Sequence, residues 1–145
     1  REHPVIHQYL KDSGIKYLDT PLVKEEHQGE GKYKKVLNYT GKKNHLGMSY
    51  QVRNVVFEPT HEREFDWVNY SLKQVEAAFF WNRPAIISSH RVNFCGHIDE
   101  KNRKNGINSL KELLKKIVQK WPEVEFISAD QLGGIIKDNK EGNKC

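Results

Sequence analysis

The residues best suited to chemistry sit in Ser88-Ser89-His90-Arg91-Val92-Asn93, where polar side chains follow Ile86-Ile87 directly. An imidazole works near neutral pH as a general acid, a general base or a metal ligand. Arg91 and Asn93 carry donors that suit an oxyanion or sugar hydroxyls. In folds built from parallel strands and helices, active sites lie beyond the carboxyl ends of the strands. That rule also selects Asp19 and Thr20, Glu58 and His61, and Ser128 and Asp130. Glu58 and Asp19 each read equally well as a site carboxylate or as half of a rim ion pair. Asp130 reads as part of a helix cap. His90 is thus the catalytic candidate, and Arg91, Asn93, Asp19 and Glu58 are the substrate-binding candidates.

Other constellations are weaker. His3 and His7 lie four apart, a spacing that puts both on one helix face and is used by metal sites. No third ligand is linked to them, and His3 fits a cap before the helix, so no metal ligand is assigned. His27, His45 and His97 read as solvated loop residues, and Trp81 as packing. No Gly-rich phosphate loop follows a strand, and neither Cys-x-x-Cys nor Gly-x-Ser-x-Gly occurs. These absences argue against nucleotide-binding and serine-hydrolase chemistry.

The elements that must position these residues follow from periodicity. His3 to Ser13 reads as a helix with Pro4 at its first position and Gly14 as its stop. Ile15–Asp19 alternates like a short strand. Residues 20–51 show no steady period and read as a long loop. Val52–Phe57 reads as a strand. Phe65, Val68, Leu72, Val75 and Phe79 mark an amphipathic helix with Glu64 and Asp66 near its positive end. Ala85–Ser89 has the apolar character of a strand buried on both faces. Residues 90–106 read as a polar loop, and Ile107 to Trp121 carry the clearest helical stripe. Val124–Ile127 reads as a strand. Ser128 and Gln131 form a capping box for a last helix, which Gly133-Gly134 weaken. The alternation predicts an α/β architecture of parallel β/α units in a single domain over residues 1–137, with 138–145 as a polar tail.

Composition is compatible with this. The chain has 145 residues, of which 37% are apolar, and its three Trp, six Phe and six Tyr exceed what a disordered chain carries. No apolar run approaches the ~20 residues of a membrane helix. Two cysteines, Cys95 and Cys145, are too few for a disulfide scaffold. The net charge of +5 is uneven. Residues 101–120 and 32–43 are both strongly basic, and they read as the solvated face of a helix and a lysine-rich loop. Binding of a polyanion is the alternative, although neither stretch has the interleaved aromatics of a single-strand binder. The opening Arg-Glu-His-Pro suggests a chain that starts partway through something larger.

Arg83-Pro-Ala-Ile-Ile-Ser-Ser-His-Arg-Val-Asn-Phe94, with Ile98-Asp-Glu-Lys-Asn-Arg103 and Trp121-Pro-Glu-Val-Glu-Phe126, resembles the C-terminal part of polysaccharide deacetylase-like proteins of the glycoside hydrolase/deacetylase superfamily. Arg53-Asn-Val-Val-Phe-Glu-Pro59 and the helix after it are compatible. The resemblance extends over most of residues 1–137. It implies part of a (β/α)7-type barrel, here an open portion with four strands. It also implies metal-dependent removal of an acetyl group from an N-acetylated sugar. In such enzymes an Asp acts as base, an Asp and two His hold a zinc-like divalent metal, and a late strand-end His acts as acid. The metal polarises the acetyl carbonyl and activates water. The late His maps to His90, which would protonate the departing amine. The family's early Asp-Asp motif is absent. His3 and His7 lie too close to the next strand, and no Arg-Pro-Pro-like segment follows them. The base and the metal ligands are therefore expected outside this chain, which would not catalyse the reaction alone. The alternatives are a noncatalytic carbohydrate-binding protein on the same fold and, less in keeping with the residues, a basic polyanion-binding module. Nucleic acid is not the expected partner.

Overall fold

A computed structural model of the chain describes residues 5–62, 64–97 and 99–142, with side chains through Lys137. His3, Pro4, Ile98 and Cys145 lie outside the described residues. The chain divides into two compact units, one of residues up to Arg53 and from Phe126 onward, the other of Asn54–Glu125.

The first unit holds helix α1 (Ile6–Asp12), strands β1 (Tyr17–Pro21), β2 (Val23–Gly29), β3 (Lys32–Leu37) and β4 (Ser49–Arg53), and a C-terminal helix. α1 ends where Gly14 takes a positive φ of 81°, a conformation that costs a side-chain-bearing residue more. β1 and β4 pair in parallel, with Thr20 opposite Val52. β2 and β3 form an antiparallel hairpin. The region expected to be a long loop therefore contains a hairpin. Its turn is Glu30-Gly31, and both residues have positive φ, the geometry whose twist matches the strands it joins. The hairpin register sets Glu25 opposite Lys35 and Glu26 opposite Lys34, so two of the lysines in this basic stretch face acids across the ladder. Met48, Tyr50 and Val52 are buried.

The second unit contains β5 (Val55–Val56), helix α2 (Trp67–Phe80), β6 (Ile87–Ser88), a 3-10 turn at Arg91–Asn93 and helix α3 (Glu100–Lys120). β5 and β6 are parallel, with Val55 opposite Ile87 and Val56 opposite Ser88. The expected strand over 52–57 breaks at Asn54. Its side chain instead donates to the Pro84 carbonyl and accepts from the Ile86 N–H. Val55, Phe57, Val68, Val75, Leu113 and Ile117 form the core. Burying each such side chain contributes about 1.5–3 kcal/mol, and Phe57 and Leu113 are wholly enclosed. α3 begins at Glu100, capped by Asp99, rather than at Ile107. Its stripe turns Leu113 and Ile117 inward. On its outer face Lys116 pairs with Glu112 and Lys120 with Glu76 of α2.

The C-terminal helix of the first unit, α4 (Ala129–Gly142), starts with the expected capping box. The Gln131 side chain accepts from the Ser128 N–H, and the Ser128 hydroxyl accepts from the Gln131 N–H. The helix extends through residues expected to be a polar tail. Gly133 has a packing role, because a Cβ there would lie 2.3 Å from the Tyr17 ring. Gln51, buried on β4, ties the start of α4 with a 2.6 Å bond to the Ala129 carbonyl.

A partial barrel of four strands is not what forms. Among the described residues there are three separate sheets of two strands each. The edge of β5 away from β6 shows why its sheet stops. The Val56 N–H and carbonyl, which a neighbouring strand would pair, are taken by the Gln74 and Ser71 side chains of α2 at 2.7 Å each. The expected strand over Val124–Ile127 is also absent. The boundary between units falls inside that run, between Glu125 and Phe126, and Phe126 and Ile127 are exposed. Ala85–Ser89 is not buried on both faces either, since Ile87 is exposed. No helix among the described residues is long and apolar enough to cross a membrane.

Candidate functional site

Three of the candidate residues come together in the second unit. Phe57 N–H bonds the Ser88 carbonyl just past the paired residues of β5 and β6. Continued by two residues beyond Val56 and Ser88, the same register brings Glu58 and His90 side by side at the carboxyl ends of both strands. The Glu58 Oε1 lies 2.8 Å from His90 Nδ1 and accepts the His90 backbone N–H at 3.2 Å. A carboxylate accepts and does not donate, so the proton of this contact resides on Nδ1. The ring is then oriented with Nε2 as its remaining functional nitrogen. Among the described residues Nε2 has no partner. The His90 side chain is 78% exposed and that of Glu58 only 14%. The carboxylate is thus the anchored member and the imidazole the presented one.

Asn93 holds the carboxylate in place. It is fully buried, and its amide donates to Glu58 Oε2 at 2.7 Å, to Ser89 Oγ at 3.0 Å and to the His90 carbonyl at 2.9 Å. Its carbonyl oxygen accepts from Thr60, from the N–H at 3.2 Å and the hydroxyl at 2.6 Å. Both donors and both lone pairs of the carboxamide are engaged, as burial of such a group requires. Asn93 therefore positions Glu58 from below rather than presenting itself to a ligand. Its own backbone is fixed by α3: a Cβ on Gly106 would lie 1.7 Å from the Asn93 carbonyl oxygen. Only glycine lets the helix come this close. The sequence placed Gly106 in the loop before the helical stripe, so neither its helical position nor this approach was legible. Thr60 joins the site in the same unannounced way, while Ser89 lies within the polar stretch singled out in the sequence.

The other candidates lie elsewhere. Arg91 opens the 3-10 turn and is exposed. Its guanidinium has no partner among the described residues, so it remains available beside His90. Asp19 belongs to the first unit, on β1, where it lines an open cleft of about 760 Å³ with Lys16, Gln51 and Asp130. His61 is exposed in the turn after Glu58. His27, expected in a loop, is half-buried on β2, with Nδ1 accepting from the Gly29 N–H. Trp81 is not packed inside but is 71% exposed, edge-on to Phe80.

No three His, Cys, Asp or Glu side chains converge to hold a metal ion among the described residues. The described residues therefore bring together no ligand set for a divalent metal. Compared with known proteins, the chain matches no family model, no curated protein and no solved structure.

Proposed function

We propose that this chain is part of a carbohydrate-active hydrolase of the polysaccharide deacetylase type, in which His90 is the proton carrier. The reading rests on the resemblance of residues 83–94 and on one observation: a recessed carboxylate holds Nδ1 of an exposed strand-end imidazole at 2.8 Å. A carboxylate so placed fixes the ring tautomer and steadies positive charge on it when Nε2 takes up a proton. Removal of an acetyl group from a sugar amine breaks the carbonyl carbon–nitrogen bond and needs a proton on the departing nitrogen. His90 Nε2 delivers it. Arg91, next along the chain and unpaired among the described residues, offers donors for a sugar hydroxyl. Activating the water falls to groups that the described residues do not provide.

The test is binding of N-acetylated and free-amine glucosamine oligomers to the full chain, followed through the His90 and Arg91 resonances. Saturable shifts that disappear in His90→Ala support the reading. Binding that survives His90→Ala indicates a noncatalytic sugar-binding surface, and no saturable shift removes the carbohydrate altogether. Acetate release by this chain alone, with added zinc, would contradict the assignment of the metal chemistry to residues outside it.

A further inference from the structure

We infer that the first unit carries an oxyanion-binding cavity, unrelated to the His90 site and independent of the reading given for it. The cavity has a volume of about 220 Å³, and His7, Asn38, Lys42, Lys43 and His45 are in its wall. His7 and Asn38 are buried, at 3% and 1% exposure. Lys42 is held by neutral oxygens only: Nζ donates to the Leu37 carbonyl at 2.7 Å and to Asn38 Oδ1 at 3.3 Å. Among the described residues no carboxylate pairs with Lys42 or Lys43. The acid in the wall, Glu26, is 4.0 Å from Lys24, whose own side chain is 93% removed from solvent. Two lysines against this one glutamate leave the wall net cationic.

The donors stand on a fixed loop. Asn44 Oδ1 accepts from the Leu46 and Met48 N–H groups at 3.0 Å each, and Lys43 bridges to Ser49. Asn44 Nδ2 reaches 3.5 Å from His7 Nδ1, and the His45 ring centre is 6.3 Å from that of His7. Lysine ammonium groups, with the His45 ring, at the wall of a cavity of this size suit the several acceptor oxygens of a phosphate or sulfate group. A cation is disfavoured by the two lysines. The basic stretch over 32–43 thus divides in function. Lys34 and Lys35 lie opposite glutamates in the hairpin, and Lys42 and Lys43 form the cationic wall of this cavity.

The experiment is a titration of the isotope-labelled full chain, at constant ionic strength in chloride, with inorganic phosphate and in parallel with glucosamine 6-phosphate. Saturable shifts confined to Asn38 and residues 42–45 are expected. Tighter binding of the sugar ester marks an ester ligand, and equal binding marks the free ion. Lys42→Met/Lys43→Met should weaken binding at least about tenfold. Lys43→Met alone, at an exposed position, should weaken it without altering the fold. Shifts that rise linearly without saturation overturn the proposal. So does unchanged affinity in both variants, or saturation by zinc but not by phosphate.

Discussion

Glu58 and His90 are joined by the same register that pairs Val56 with Ser88. The two strands end together, and the two residues beyond them meet at 2.8 Å. The contact is a consequence of strand pairing, so it exists before any ligand arrives. What the strands do not fix, Asn93 does, by bonding the second carboxylate oxygen from beneath.

The two members of the pair should differ sharply in their cost to stability. Glu58→Ala removes the acceptor of the His90 N–H, the His90 ring and the buried Asn93 amide. The Asn93 amide keeps Ser89 Oγ and the His90 carbonyl, so the loss is that of hydrogen bonds to a charged group, about 1.5–3 kcal/mol. His90→Ala removes an exposed ring and should stay within about 0.5 kcal/mol of the parent. Urea unfolding of both variants measures the difference. Equal losses would make His90 a structural residue.

Two glycine substitutions should have opposite signs. Gly106→Ala places a methyl group 1.7 Å from the Asn93 carbonyl, and relieving it means moving α3 off the turn. Such overpacking typically costs about 1–3 kcal/mol. The shift should also appear at the Glu58 and His90 resonances. Gly134, in α4, has nothing within 4 Å of its would-be Cβ. Gly134→Ala should therefore stabilise by about 0.5–1 kcal/mol through helix propensity. Thermal unfolding of the two variants distinguishes them.

Asp66 caps α2. The Asn69 N–H bonds its Oδ1 at 2.9 Å, and this backbone bond is the main cause that holds its carboxyl below the usual value of 3.8. The Asn69 side-chain bond and the charges of Lys116 and Lys73 act in the same direction, against partial desolvation. A lowered folded-state value means a contribution that is complete above the unfolded carboxyl's pKa, about 3.9, and lost as pH falls through the folded value. Asp66→Ala should cost about 0.5–1 kcal/mol at pH 7, the low end for a cap because the group is exposed. The gap from the parent should close as pH drops below about 4. A gap that widens in acid would reverse the assignment.

Local signals carried most of the helices. The capping box at Ser128 and Gln131 and the Gly14 stop are short-range chemistry, and each forms as the residues indicate; Asp66, expected only near the positive end of α2, is its cap. The hairpin at 23–37 was missed, because residues 20–51 show no steady period and read as a loop, although Gly29-Glu30-Gly31 is a turn signal. What was not legible is sheet extent. Whether Val56 meets another strand or the Ser71 and Gln74 side chains is decided by α2 packing across it. Val124–Ile127 has a strand's composition, and among the described residues no strand pairs with it. In the site, His90 and Glu58 were visible as strand-end polar residues. Their contact depends on a register that spacing alone does not fix, and the Gly106–Asn93 approach depends on how α3 meets the turn.

The most direct measurement is the ring ¹⁵N spectrum of His90 in the neutral imidazole form, in the full chain and in Glu58→Leu. The structure requires the proton on Nδ1, facing Glu58, with Nε2 bare toward solvent. Glu58→Leu should shift the population toward the Nε2-protonated tautomer. An Nε2-protonated ring in the parent, or a spectrum indifferent to Glu58, would contradict the claim that this carboxylate sets His90 for proton transfer.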